Sequence, residues 1–160
     1  QGYSSAASDV YKRQAYSDLI PDLHALPSAY KQTALALRVG KLFYSEQSVF
    51  PFNKLGIGRL IHELPEKLCE DFLFEIFGDI TSEHLDKDTL AAIDKFFQNN
   101  LNIAETARQL HMHRNTLIYR LEQVEKRTGL DLRQFEDAMT FKIAIMILNY
   151  LQSERNVSHE

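Results

Sequence analysis

Three features of this chain predict a mainly α fold: a C-terminal helix-turn-helix bundle preceded by a partial α/β segment. Two apolar triplets, Ile103, Ala107, Leu110 and Leu117, Leu121, Val124, each follow i, i+4, i+7 spacing across one short turn. Each therefore belongs to an amphipathic helix with one stripe to bury and one face left over. The same helical spacing recurs between Pro27 and Leu151, broken by Gly and Pro where elements should end. Only residues 41–46, around Leu42-Phe43-Tyr44, suit a short strand.

Residues 1–14 show neither period and are set aside as a non-native or disordered leader, so that the chain is expected to start mid-domain. Ser28 is a candidate N-cap for a helix striped by Tyr30, Ala34 and Leu37 and ended by Gly40. A short helix over residues 55–64 stops at Pro65. Another over 66–77 places Leu68, Phe72 and Ile76 on one face before Gly78. Residues 80–85 read as a linker that divides a segment 15–80 from a helical domain 86–152. In that domain Asp86 can cap a helix whose Leu90, Ile93 and Phe97 face inward, with Asn99-Asn100 at its end. Asn102 with Glu105 three residues on imitates a capping box. Small Ala107 suits a close helix crossing, Met112 plugs the turn, and the second helix of the pair runs to about Thr128, where Gly129 stops it.

The last helix, over residues 134–151, carries two stripes: Phe135, Met139, Ile143, Met146, Tyr150 and Ala138, Phe141, Ile145, Leu148. A helix apolar on most of its circumference needs cover on two sides. One side is assigned to the helix-turn-helix core. The other falls to the upstream domain or to a second copy of the chain, and a homodimer through this helix is the expectation.

A hydrophobic content of 44% and ten Phe in 160 residues suffice for a packed core rather than a disordered chain. The single cysteine, Cys69, rules out an internal disulfide and suits a reducing compartment. The strongest apolar run, residues 143–148, falls far short of the roughly 18 residues of a membrane span, and no secretory leader is recognisable. A cytoplasmic protein without membrane contact is expected. The net charge of −4 argues against coating nucleic acid by charge alone. Its distribution is uneven: residues 15–102 hold eight Lys and Arg against thirteen Asp and Glu, a net of −5, whereas residues 103–127 hold five against three, a net of +2. The positive charge sits on the paired helices, in a patch modest enough that two copies are needed for useful affinity.

The outward face of the second helix of the pair begins with His113, Arg114, Asn115, Thr116, Tyr119 and Arg120. An ordinary helical hairpin has the same inward periodicity, but its solvated face would favour Glu and Lys. Arg, Asn, Thr, His and Tyr crowded at a helix start are base-edge and phosphate hydrogen-bonders where this motif meets the major groove of double-stranded DNA. Arg114 and Asn115 suit bidentate base contacts, Thr116 and Arg120 phosphate, and His113 a phosphate at the helix start. His111 and His113 lack the Cys or third ligand a metal site needs, and His62-Glu63 lacks the second His of a zinc-protease motif. No phosphate-cradling Gly-rich loop, nucleophile elbow or distinctive carboxylate pair is present, and Cys69 falls in an apolar-striped helix as a small core residue would. No catalytic residues, cofactor or metal are expected.

Thr106-Ala107-Arg108-Gln109-Leu110, then His113-Arg114-Asn115-Thr116-Leu117 with Tyr119-Arg120-Leu121, then Thr128-Gly129-Leu130-Asp131-Leu132 together resemble the PucR-type helix-turn-helix domain of CdaR-like sugar-diacid transcriptional regulators. The resemblance covers about residues 90–151 and implies a Fis-like arrangement, with the second helix in the major groove. Upstream, Ser28-Ala29-Tyr30 through Ala34, Ala36-Leu37, Val39-Gly40 and Leu55-Gly56-Ile57-Gly58-Arg59-Leu60 resemble the end of the degenerate GGDEF-like domain of the same regulators. The Gly-Gly-Asp/Glu-Glu-Phe cyclase signature does not occur in the sequence, so the resemblance implies no cyclase activity. It does imply a small-molecule effector bound by an N-terminal domain outside these residues, and genes for carbohydrate-diacid or related carboxylate use.

The sequence thus points to the C-terminal piece of a DNA-binding transcription regulator. The rival reading is a non-catalytic protein-interaction or dimerisation module of a signalling protein.

Overall fold

The structure, a computed structural model, describes residues 12–78 and 86–157. The 80–85 linker and the first eleven residues of the leader lie outside the described residues. The chain divides into two compact units, one formed by residues up to Leu64 together with those from Asn149 on, the other by Pro65–Leu148.

In the first unit, strand β1 (Gln14–Tyr16) pairs in parallel with β2 (Val49–Pro51), in the register Gln14↔Val49, Ala15↔Phe50, Tyr16↔Pro51. Helix α1 (Leu26–Phe43) connects them, giving the βαβ crossover that parallel pairing requires. Arg13 and Gln14, set aside with the leader on sequence grounds, belong to this fold. The Arg13 guanidinium donates to the carbonyls of Ser45 (2.6 Å) and Gln47 (2.8 Å), and Gln14 opens β1.

The sequence places α1 imperfectly. The helix starts at Leu26 with Pro27 in its first turn and no side-chain cap, so Ser28 lies inside it rather than before it. It buries Ala29, Ala36 and Val39, while Tyr30 and Ala34 point to solvent. Gly40 does not end it. The helix continues to Phe43, and the strand expected at residues 41–46 forms instead at Val49–Pro51. The reason is packing: a Cβ at Gly40 would stand 2.1 Å from Cγ of Phe50, whose ring is 1% exposed. The bare backbone of Gly40 is the surface on which β2 lays its aromatic side chain.

Helix α2 (Gly56–His62) follows, with the Tyr44 hydroxyl donating to the Leu55 carbonyl at 2.6 Å just ahead of it. The Arg59 guanidinium lies 4.3 Å above the Phe52 ring, within the range of a cation–π contact. Residues from Asn149 on close this unit, where the Tyr150 hydroxyl donates to the His62 carbonyl at 3.4 Å and Arg38 pairs with Glu154.

The second unit is helical throughout its described residues. Helix α3 (Glu66–Phe77) ends at Gly78 as expected and buries Cys69 and Phe77, although Leu68 is exposed. Burial pushes the Cys69 thiol above its usual range, as for an inert core cysteine. Helix α4 (Lys87–Gln98) is capped by Asp86, whose carboxylate accepts from the Thr89 amide and hydroxyl, both at 2.7 Å. Helices α5 (Ile103–Gln109) and α6 (Arg114–Thr128) form the turn-linked pair, and α7 (Phe135–Val157) runs beyond its expected end at 151. Their shared core holds Ala92, Ile93, Phe96, Ala107, Leu117, Leu121, Val124, Leu132, Phe141 and Ala144, with Phe77 edge-on to Phe141 at 6.0 Å. Burying each Val, Leu, Ile or Phe side chain of this set removes about 1.5–3 kcal/mol of unfavourable hydration. Of the two stripes on α7, Ala138 and Phe141 are buried. Phe135 (69% exposed) and Met139 (41%) are not, and Ala144 and Ile147 take the remaining core positions.

Candidate nucleic-acid interface

Helix α5 is started by Asn102, whose side-chain oxygen accepts from the Glu105 amide at 3.0 Å. The return bond of a capping box does not form, because the Glu105 carboxylate turns the other way. It accepts from Arg108 Nε (3.0 Å) and Nη2 (2.6 Å) and from Gln109. These donors hold the Glu105 carboxyl below its usual range, the Arg108 bond foremost. Beneath them Thr106 is fully buried yet satisfied. Its hydroxyl donates to the Asn102 carbonyl at 2.7 Å and accepts from Asn99 Nδ2 at 3.2 Å, which ties the end of α4 to α5.

The turn between the two helices closes with a reciprocal pair of backbone bonds, His111 amide to Arg108 carbonyl (3.2 Å) and Met112 amide to Ala107 carbonyl (3.0 Å). This is the Schellman arrangement, and it requires a left-handed residue just past the helix end. That residue is His111, at φ +52°. Met112 is partly buried against the core as the plug of the turn, and Ile103 and Leu110 pack there too. The end of α4 repeats the device with Asn100 at φ +52°, followed by Leu101 at φ +62°.

His113 caps α6: its backbone is extended and its Nδ1 accepts from the Asn115 amide at 3.2 Å. Leu117, Leu121 and Val124 are buried to within 2% of completely, so one face of α6 is fixed in the core. At the other end Gly129, at φ +74°, ends the helix in the left-handed region. Arg133 then bridges Asp131 (2.6 Å) and Glu125 (2.9 Å), which lowers the Asp131 carboxyl and raises the guanidinium.

The opposite face follows from this anchoring. His113, Arg114, Asn115, Thr116 and Tyr119 are all exposed within the cap and first two turns of α6. They offer a two-pronged cation, an amide, a hydroxyl, an imidazole and a phenol around the N-terminal end of the helix. Arg120 stands apart from them. It is half-buried, and its Nη1 donates to the Asp88 backbone carbonyl at 3.0 Å. Sequence spacing placed it on the outward set but carried no sign of a partner 32 residues earlier. The Glu105–Arg108 clamp and the Asn99–Thr106 bond were missed as well. Among the described residues no three His, Cys, Asp or Glu side chains converge to hold a metal ion.

Residues 89–147 match the PucR C-terminal helix-turn-helix domain. The match takes in α5, the turn and α6 whole, with nearly all of α4 and the first half of α7. The chain is similar to several bacterial proteins. The purine catabolism regulatory protein of Bacillus subtilis is 27% identical over 81% of this chain and 24% of its own length. The Bacillus subtilis protein YsfB is 36% identical over 78% of this chain and 32% of its own. The carbohydrate diacid regulator of Escherichia coli is 41% identical over 37% of this chain and 14% of its own. The chain thus spans a third or less of the length of each. Within the described residues no helix is long and apolar enough to cross a membrane.

Proposed function

We propose that this chain is the C-terminal part of a bacterial transcription regulator and that its PucR-type domain, over residues 86–152, binds double-stranded DNA with α6 in the major groove. The observation that carries this is the division of α6. Leu117, Leu121 and Val124 are locked in the core while His113, Arg114, Asn115, Thr116 and Tyr119 stand exposed at its N-terminal end, the end that this motif brings to base edges. In this reading Arg114 and Asn115 take base edges, Arg on guanine and Asn on adenine. Thr116 and the Nε2–H that His113 keeps free when Nδ1 caps the helix take phosphates.

Other parts of the reading draw on the relatives. A regulator named for carbohydrate diacids among them supports control of genes for carboxylated carbohydrates, with a small-molecule effector bound by a further domain. The upstream segment, residues 15–80, is read as the end of a degenerate GGDEF-like domain, supported by its βαβ unit. Exposed Phe135 and Met139 on α7 support a homodimer that sets two recognition helices about 34 Å apart. The site of action is the cytoplasm, and the chain has no enzymatic step to perform.

The test is an electrophoretic shift at low and high salt with duplexes selected from a random pool by the chain itself. Retarded bands that weaken steeply as salt rises support the reading. No shift at low salt overturns it in favour of an assembly module.

A further inference from the structure

Among the described residues, Arg120 is the member of the sequence-predicted set whose side chain bonds to another helix. Its Nη1 donates to the carbonyl of Asp88 in the first turn of α4, at 3.0 Å. The Asp86 carboxyl is lowered chiefly by its bonds from the Thr89 hydroxyl and amide, with a lesser coulombic contribution from Arg120. Thr89, which Asp86 caps through two bonds of 2.7 Å, is itself buried. The start of α4 is therefore a firm fixture, and Arg120 is a strut from α6 onto it.

The geometry of α6 makes such a strut consequential. Arg114 and Asn115 lie six and five residues before Arg120, about 9 and 7.5 Å along the helix axis. A tilt of about 10° at Arg120 displaces Arg114 by roughly 1.6 Å, well beyond the ~0.5 Å within which a bidentate contact must be held. Buried Leu117 and Leu121 hold the helix against the core, and the bond from Arg120 adds a directional restraint at its flank.

We infer that Arg120 is a positioning residue for DNA recognition, setting the angle at which α6 presents Arg114 and Asn115, and that it does not neutralise a phosphate. This rests on the DNA reading above. Turning the guanidinium outward to a phosphate would forfeit its bond to the Asp88 carbonyl.

The experiment measures affinity against salt concentration by fluorescence anisotropy for the wild type, Arg120→Ala and Arg120→Gln. Each binds both a duplex selected from a random pool by the wild type and an unselected random-sequence duplex. Thermal melting of each variant confirms that it is folded, and Arg120→Gln, which keeps an amide donor without the charge, serves if the alanine variant is not. The expected result is a loss of up to about tenfold on the selected duplex, the worth of roughly one hydrogen bond, and a much smaller loss on the random duplex. The slope of log affinity against log salt stays at the wild-type value in both variants. A slope reduced by about one, with equal losses on both duplexes, is the signature of a lost phosphate contact and overturns the inference while leaving the DNA reading intact. A wild type that binds neither duplex overturns both.

Discussion

Glu105 holds Arg108 one turn further along α5 by two parallel hydrogen bonds, Oε2 to Nε at 3.0 Å and Oε1 to Nη2 at 2.6 Å. A cation on the first helix of the turn-linked pair is thereby kept neutralised. The pair is solvent-exposed, and exposed ion pairs contribute little to stability, so its restraint on binding can be separated from folding. Glu105→Gln should release the guanidinium, strengthen binding to random duplex at low salt, and steepen the salt slope by up to about one unit. Unchanged affinity in a salt titration would show that Arg108 lies off the path of the DNA backbone.

His111 occupies the left-handed position of the turn at φ +52° with its side chain exposed. A left-handed conformation costs a residue with a Cβ about 1–2 kcal/mol, and glycine avoids that cost at some expense in unfolded-chain entropy. His111→Gly is therefore expected to stabilise the domain by about 0.5–1 kcal/mol in a urea titration. Leu101, at φ +62°, is not equivalent, because it also packs against the core and glycine there would lose that contact. A lower urea midpoint for His111→Gly would mean that the imidazole makes a stabilising contact.

Gly40→Ala sets two effects against each other. Alanine is the better helix former by about 1 kcal/mol. The new Cβ, however, would meet three atoms of the Phe50 ring between 2.1 and 2.5 Å away, and overpacking a well-filled core costs about 1–3 kcal/mol. The clash should win because Phe50 is held on β2 by the pairing of Ala15 with it. Gly40→Ala will lower the melting temperature, and Gly40→Ala with Phe50→Leu should recover part of the loss. A more stable single variant would show that the ring moves aside at little cost.

Acid should weaken the domain through the carboxylates of Asp86 and Asp131 and only slightly through that of Glu105, whose ion pair is exposed. Asp86 is lowered by its bonds from the Thr89 hydroxyl and amide, Glu105 by Arg108 and Gln109, and Asp131 by Arg133. Each folded-state value is below the unfolded value of about 3.9–4.3. The stabilisation is thus fully present above that value and is lost as pH falls through the folded values. Stability followed by urea unfolding should be flat from neutrality to about pH 5 and decline below about pH 4. Asp86→Asn and Asp131→Asn should each make the decline shallower. A parent curve that declined between pH 7 and 5 would assign the dependence to histidines instead.

What the sequence made legible follows from range. The paired helices α5 and α6 were readable because their signals are local: Asn102 as a cap, Gly129 as a stop, Leu117, Leu121 and Val124 on one stripe. Gly40 was misread as a stop because its use is decided by Phe50, ten residues on and in another element. The Arg120 strut to Asp88 and the buried hydroxyl of Thr106 depend on partners that no periodicity reveals. On α7 the apolar content was correctly seen, but which of its faces is buried was decided by the neighbours. Ala144 and Ile147 went inside and Phe135 stayed out.

Base reading is the last prediction, and Asn115 carries it. The residue is exposed in the first turn of α6, where its backbone amide donates to His113 Nδ1 at 3.2 Å and its side chain has no hydrogen-bond partner among the described residues. Its side chain is thus left for a bidentate contact with adenine N6 and N7. Truncation to alanine leaves the capping bond intact, since that bond uses the backbone. Asn115→Ala should cost about 1–3 kcal/mol on a selected duplex and little on random sequence, and it should relax the preference at a single base position when selection is repeated. His113→Ala serves as the contrast. Removing a helix cap costs about 0.5–2 kcal/mol of stability and should weaken binding to every sequence alike. Equal losses on both duplexes for Asn115→Ala would make Asn115 a backbone contact and leave base reading to Arg114.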